Sequence, residues 1–433
     1  VGEPPALLGR QIEEEREMTK FQLLSFTFTL VVIPNVLAGC GAGSSAAIPG
    51  SIGPQALDQL GGGTYRTIYK FKGHGSAVGP NGQFIAIGGL LYGTTAFGGH
   101  RARGAIFTIT TSGEKHVLYE FKGRSDGIEP LGRLVSVGGV LYGTTIAGGI
   151  HCPGESEFTG CGTVFAVTLS GQEHVIYRFK GGSDGVAPSG GLTWLDGKLY
   201  GATHRGGFTP ECPQIEYGQG CGTVFSVDTS GHERVLYRFH GNHDGASPRA
   251  PLLALDGKLY GATDSGGEGG SRCDYYCGTL FAVTTSGHEK VLHRFAGGSD
   301  GSNPSPGLID IGGTLYGTTG YLGANGGCCG TVFKATTSGV ESAIYNFKGP
   351  PDASAPNGML VTDHGLLYGT ASGGESCGYS DSGTIFAVST AGAERVDHTF
   401  SCYSASSEPS PGLLRLDRTL YGATYGTIFA FTP

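Results

Sequence analysis

The sequence predicts an all-β fold: a seven-bladed β-propeller of four-stranded antiparallel blades, closed by an N-terminal strand that completes the last blade. Three observations carry this. A Leu-Tyr-Gly signature recurs seven times, with its tyrosine at Tyr92, Tyr142, Tyr200, Tyr260, Tyr316, Tyr368 and Tyr421. A Gly-x-x-Phe segment follows each, ending at Phe107, Phe165, Phe225, Phe281, Phe333, Phe386 and Phe429. A third signature, Val175-Ile176-Tyr177-Arg178-Phe179, recurs at Phe121, Phe239, Phe295, Phe347 and Phe400, but its seventh copy, Thr67-Ile68-Tyr69-Lys70-Phe71, precedes the first Tyr-Gly.

Each repeat reads as four short strands, in the third repeat Gly190–Asp196, Lys198–Thr203, Gly222–Asp228 and Glu233–Phe239. They are rich in Val, Leu, Tyr and Phe and bounded by Gly, Asp and Ser. Asp196-Gly197 and Asp256-Gly257 supply two-residue hairpins between the first two strands, since Gly accepts the positive φ such turns need. Ser230-Gly231 and Ser286-Gly287 do the same between the third and fourth. Small or apolar residues on both strand faces mark sheets covered on both sides. No helical period follows residue 40. Four strands per unit of roughly 50 residues is the period of a propeller blade. The C-terminal unit stops after Gly426–Phe431, and the orphan fourth strand, Tyr65–Phe71, lies at the other end of the chain. Ring closure pairs the two and removes both edges.

Composition sets the function classes. The chain has 433 residues, a formal net charge of −8 and 15% charged residues. No basic block offers the concentrated footprint that nucleic acid requires. Gly is 81 and Pro 21, yet 22 Phe and 20 Tyr provide a core that disordered Gly-rich chains lack. Residues 1–40 read as an upstream segment and export signal. The acidic run Glu13-Glu14-Glu15-Arg16-Glu17 is wrong for a signal start, whereas Met18-Thr19-Lys20 followed by apolar Phe21–Val36 fits one. Leu37-Ala38-Gly39-Cys40 resembles the lipobox of bacterial lipoproteins, in which the cysteine is lipidated. Residues 41–63 read as a flexible tether and 64–433 as the propeller. The expected setting is extracytoplasmic, with the membrane reached through lipid on Cys40 and the propeller a monomer.

The pattern Leu-Tyr-Gly-Thr-Thr, Gly-Gly, Gly-Thr-Val-Phe, as at Leu141–Thr145 and Gly162–Phe165, resembles the bacterial "choice-of-anchor" GloVer (Gloeobacter/Verrucomicrobia-type) tandem repeats. The resemblance covers residues 64–433. It implies an extracytoplasmic location and names no reaction. Kelch propellers are a looser relative in strand order.

Topology then points to a working face. The one–two and three–four connections are tight turns, whereas the two–three and inter-blade loops are long and emerge on the opposite side, where binding residues concentrate. Blades two to four carry the longest, Ile146–Cys161, His204–Cys221 and Asp264–Cys277. Four cysteine pairs are expected to pin such loops: Cys152/Cys161, Cys212/Cys221, Cys273/Cys277 and Cys377/Cys402. Cys328-Cys329 is either a vicinal disulfide or a pair with outside partners. The cysteines and histidines lack zinc-ligand spacing, so no metal and no cofactor is expected. The recurring Asp126, Asp184, Asp244 and Asp300 of the inter-blade loops read as turn formers.

Singular residues are the site candidates. Phe158, Arg205, Phe208, Tyr217, Tyr275 and Tyr276 stand in the long loops, and Trp194, Asp310 and Arg415 on first strands are expected to face the central channel. A binding module for glycan, peptide or envelope component would use the loop aromatics and His204. A hydrolase or lyase acting on an extracellular polymer would need converging acids or a histidine, for which His204, Glu211, Glu216 and Asp274 are candidates. The sequence reading favours binding over the enzyme, and both over a purely structural envelope role.

Overall fold

The computed structural model describes residues 63–72, 78–152, 160–210, 212, 220–241, 243–249, 251–267, 277–305, 307–321, 329–374, 382–402 and 407–433. Seven antiparallel sheets follow one another along the chain, one per repeat. In blade three the strands are Thr193–Leu195, Lys198–Thr203, Thr223–Val227 and Glu233–Arg238, paired in that order. Closure is as expected. Thr64–Lys70 pairs antiparallel with Thr427–Thr432, so the first strand of the chain is the last strand of blade seven.

The first strand departs from the sequence reading. It is continuous only for three residues, as in Thr193–Leu195. Upstream, the inter-blade loop itself joins the next sheet. Ala246–Pro248 pairs with the far end of Lys258–Ser265, and Val78–Pro80, Ser302–Pro304 and Ser354–Pro356 are its counterparts. In five inter-blade loops the residue before the proline is left-handed: Glu129, Ala187, Ser247, Asn303 and Ala355 have φ between 52° and 60°. That turn breaks the strand, a conformation that costs a non-glycine residue free energy and that hydropathy does not reveal. Each fourth strand also carries a bulge, in blade two between Val175 and Tyr177. The extra residue bends and twists the blade's outer edge.

The core is an aromatic ring. The phenylalanine ending each fourth strand meets the third-strand phenylalanine of the next blade edge-on. Phe179–Phe225, Phe239–Phe281 and Phe347–Phe386 have centroids 5.0, 5.0 and 4.9 Å apart. The last link, Phe71–Phe107 at 6.1 Å, joins blade seven to blade one. Edge-to-face pairs add about 0.5–1.5 kcal/mol each beyond their area burial. The invariant glycine after each tyrosine makes room: a Cβ on Gly201 would lie 2.6 Å from Phe225 Cζ.

A second, polar element links the outer strands. Tyr119 donates to Asp126 Oδ2 at 2.6 Å and lies 3.0 Å from Glu173 Oε2 of the next blade. Tyr177 with Asp184, Tyr237 with Asp244 and Tyr345 with Asp352 repeat it, at 3.0, 2.7 and 2.8 Å. The same aspartates cap their own turns, as Asp126 does on the Lys122 and Gly123 amides. This fits the reading of the repeated acids as turn formers.

Candidate functional site

The second and third blades' long loops begin beside disulfides. Cys152–Cys161 and Cys212–Cys221 are formed, with S–S 2.02 and 2.06 Å. Cys277, Cys329 and Cys402 are also disulfide-bonded, while Cys273, Cys328 and Cys377 lie outside the described residues.

Where blade three meets blade four, four polar residues converge. His204 follows the second strand of blade three, and its amide donates to Ala187 O at 3.0 Å. Arg249 follows the proline of the next inter-blade loop. Its Nη2 donates to His204 Nε2 at 3.3 Å, and its Nε lies 2.5 Å from Asp264 Oδ2. Asn303 Nδ2 donates to Asp264 O at 3.3 Å, tying in the following loop. Arginine has no acceptor, so Nε2 must present its lone pair and the imidazole proton sits on Nδ1. Burial, then Arg249 and Arg205, hold the His204 imidazole well below its ordinary pKa, against a smaller opposing contact with the Ser247 backbone. His204 is therefore neutral at physiological pH. Burial pushes the Asp264 carboxyl up, and Arg249 opposes that shift.

Glu129 marks the same level between blades one and two. It is left-handed, with φ 58°, and 5% exposed. Burial pushes its carboxyl up to about 7, with Arg103 opposing. A carboxyl poised there can give or take a proton near neutrality.

The central channel contains a cavity of about 660 Å³ lined by Arg133, Asp310, Thr362, Arg415 and Asp417 among aliphatic side chains. Asp310 and Arg415, two of the first-strand candidates, are among the lining residues. Arg415 Nη2 pairs with Asp363 Oδ1 at 2.7 Å. Trp194 is not among the residues that line this cavity; it packs, partly buried, against the core cluster of blades two and three.

Repetition on this scale decides the lineage. The model of the Gloeobacter/Verrucomicrobia repeat matches residues 57–269 and 213–430. The chain belongs to that repeat family. No curated protein matches it. Among solved structures it is similar to a streptogramin B lyase, at 14% identity over 86% of this chain and 98% of that one, with a TM-score of 0.55. A computationally designed protein, Ika8, aligns at 14% identity over 85% and 100% of the two chains, TM-score 0.46. Puromycin hydrolase aligns at 12% identity over 83% and 54%, TM-score 0.47. At such identity the likeness to the lyase is one of fold. The family and the disulfides are consistent with an extracytoplasmic protein, and no helix among the described residues is long and apolar enough to cross a membrane.

Against the repeat's background the singular positions stand out. Arg249, Asp264 and Glu129 were not among the sequence candidates. No sister blade carries a basic residue at the place of Arg249 or an acid at that of Asp264; Glu129 stands where Ala187, Ser247, Asn303 and Ala355 stand, and only Glu408 repeats its acid. Arg205 follows His204 in the chain, and its charge helps lower the His204 pKa. Phe208 is half exposed at 50%. Phe158, Glu211, Glu216, Tyr217, Asp274, Tyr275, Tyr276 and Cys40 lie outside the described residues.

Proposed function

We propose that this repeat propeller is an enzyme of the lyase or hydrolase class acting on an anionic extracellular polymer, with His204 as proton acceptor. The observation that carries it is the chain Asp264–Arg249–His204, in which a neutral imidazole has its lone pair covered by an anchored guanidinium. An anionic group of the substrate would draw Arg249 and Arg205 to itself and free Nε2. The charge that binds the polymer would thereby uncover the base. In an elimination, Nε2 would take the proton from the carbon next to the carboxylate. The electron pair would form a carbon–carbon double bond as the β carbon–oxygen bond breaks, the departing oxygen taking a proton from solvent and the imidazolium later returning its own to water. The likeness in fold to a lyase agrees with this chemistry without specifying a substrate. The Cys40 lipid and the tether 41–63 would hold the propeller at the cell envelope.

A second reading, a binding module for a glycan, peptide or envelope component, draws on the channel. Its volume lies in the range of ligand sites, and Arg133, Asp310 and Arg415 offer both charges within apolar walls. One experiment separates the two. The chain is incubated with polygalacturonate and with alginate, and ultraviolet absorbance follows unsaturated product while reducing ends report hydrolysis. Turnover that falls at least about 100-fold in His204→Ala supports the enzyme reading. Turnover unchanged in that variant overturns the role of His204. Retention of polymer without any turnover by the parent chain replaces the enzyme with the binding module.

A further inference from the structure

The five polar seams are not identical. Four have tyrosine between the acids. The seam between blades four and five has His293, with Asp300 seven residues on and Glu341 at the start of the next blade's fourth strand. A phenol that keeps its proton is a poor metal ligand. An imidazole nitrogen is a good one.

The donors are already gathered. His293 Nε2 lies 2.9 Å from Asp300 Oδ1 and 3.8 Å from Glu341 Oε2, and one ligand atom from each residue falls within 4.8 Å of the others. A tetrahedral zinc ion with bonds of about 2.0–2.2 Å separates its ligands by about 3.3–3.6 Å. The observed distances bracket that spacing, so a few tenths of an ångström of movement would suffice. Asp300 is set for the role, because its Oδ2 accepts the Ala296 amide at 2.6 Å and leaves Oδ1 facing the imidazole. The His293 ring is held edge-on against Phe295, centroids 4.9 Å apart.

The Glu341 side chain is 6% exposed, and its Oε1, like that of Glu173, Glu233, Glu289 and Glu394 at the sister seams, has no hydrogen-bond partner among the described residues; only here does an imidazole nitrogen replace the phenol between the acid pair. A buried carboxylate oxygen without a donor is costly. A cation bound through both oxygens would satisfy it. Two carboxylates also balance the charge of a dication. The side chains of His293 and Asp300 keep 24% and 19% exposure, which leaves an entry path and room for water as fourth ligand.

From this geometry we infer that His293, Asp300 and Glu341 bind a divalent transition metal, with zinc the best fit to one nitrogen and two oxygen donors. Such an ion would staple the turn and last strand of blade four to the last strand of blade five. It is a site that sequence spacing did not indicate, since the three ligands come from two repeats.

The fold supplies its own control. His293→Tyr recreates the arrangement of the four sister seams, so it should fold while losing the nitrogen ligand. The full chain is stripped with chelator and titrated with Co²⁺, read by the visible bands of a nitrogen- and oxygen-ligated ion, and with Zn²⁺, read by melting temperature. The expected result is one equivalent of Co²⁺ bound by the parent and a rise in Tm with Zn²⁺. His293→Tyr should bind at least about 100-fold more weakly, with a Tm insensitive to either ion. Glu341→Gln, which keeps the shape and removes a charge, should weaken binding too. A parent that binds no cobalt, or variants that retain the parental spectrum and affinity, overturns the site.

Discussion

Five of the seven seams between neighbouring blades are joined at their outer strands by an acid pair around a tyrosine or histidine; the two that flank the closing strand are not. At the seam of blades six and seven, His398 takes the tyrosine position and Tyr65 the glutamate position. Their rings stack with centroids 4.0 Å apart and an interplanar angle of 5°. At the seam of blades seven and one, Lys115 takes the glutamate position and lies 5.7 Å from the Tyr69 ring. The backbone register is the same throughout, but the chemistry differs. A tyrosine has one proton for two carboxylates, so the acid pair needs a second proton to be satisfied. Burial, then the neighbouring Asp184, raises Glu233 to about 7. Burial and Asp244 do the same for Glu289, also to about 7, and burial and Asp352 raise Glu394 to about 8. Among the described residues the closing seams have no such pair. Instead, at the seam of blades six and seven, burial lowers His398 below its ordinary value. That seam therefore responds to pH in the opposite direction to the acid-paired ones.

The strongest way to break the comparison is to remove the closing strand. Deleting residues 64–71 leaves Thr427–Thr432 without its partner and removes both aromatic seams at once. The expected outcome is loss of cooperative melting and self-association through the exposed edge, visible by size exclusion. A monomer that melts at the parental temperature would show that closure adds nothing.

Next in size is the aromatic ring common to all seams. Phe225→Ala empties a site that is 0% exposed and should cost about 3–5 kcal/mol in chemical denaturation. A cost below about 1 kcal/mol would mean that the neighbouring blades collapse onto the cavity.

The pH response sharpens the contrast. For Glu233, Glu289 and Glu394 the folded value lies above the ordinary one near 4.5, so the folded protein holds more protons between the two. Their stabilisation is full below pH 4.5 and is lost as pH rises through about 7 to 8. Solvent screening keeps this to about 1 kcal/mol or less per seam. Tm should fall from pH 6 to 9, and the triple change of these glutamates to Gln should flatten that slope. His398 has the opposite sign. Its folded value lies below 6.5, so its seam loses stability as pH falls through 6.5. His398→Tyr should remove that acid loss and leave the alkaline slope intact. If both variants track the parent across this range, the seams do not titrate as described.

The smallest effect is expected at Lys115. Its replacement by Gln removes the contact with Tyr69 and should cost about 0.5–1 kcal/mol, insensitive to pH from 5 to 8.

Legibility followed the repeats. The Tyr-Gly, Gly-x-x-Phe and Tyr-x-Phe signatures placed strands two to four within a residue or two of their bounds and assigned the closing pair correctly. The first strand was harder, because in most blades a left-handed residue before the inter-blade proline interrupts it, and that conformation depends on the neighbouring blade's hydrogen bonds. Ala187 is held there by Cys161 O, and Ser247 by Cys221 O. Asp310 and Arg415 were found from their oddness on the first strand. Trp194 was equally odd; it packs, partly buried, against the core cluster of blades two and three.

The sequence by itself determined the blade count, the strand order and the closure, because each is written as a local signature repeated in register. It also determined the disulfides Cys152–Cys161 and Cys212–Cys221, whose partners are nine residues apart within one loop. Only the tertiary structure decided the polar clusters. His204, Arg249 and Asp264 come from two blades, and His293, Asp300 and Glu341 from two more. Residues 45 or more apart meet there only because adjacent sheets stack. Their protonation states follow from burial that no single repeat possesses alone.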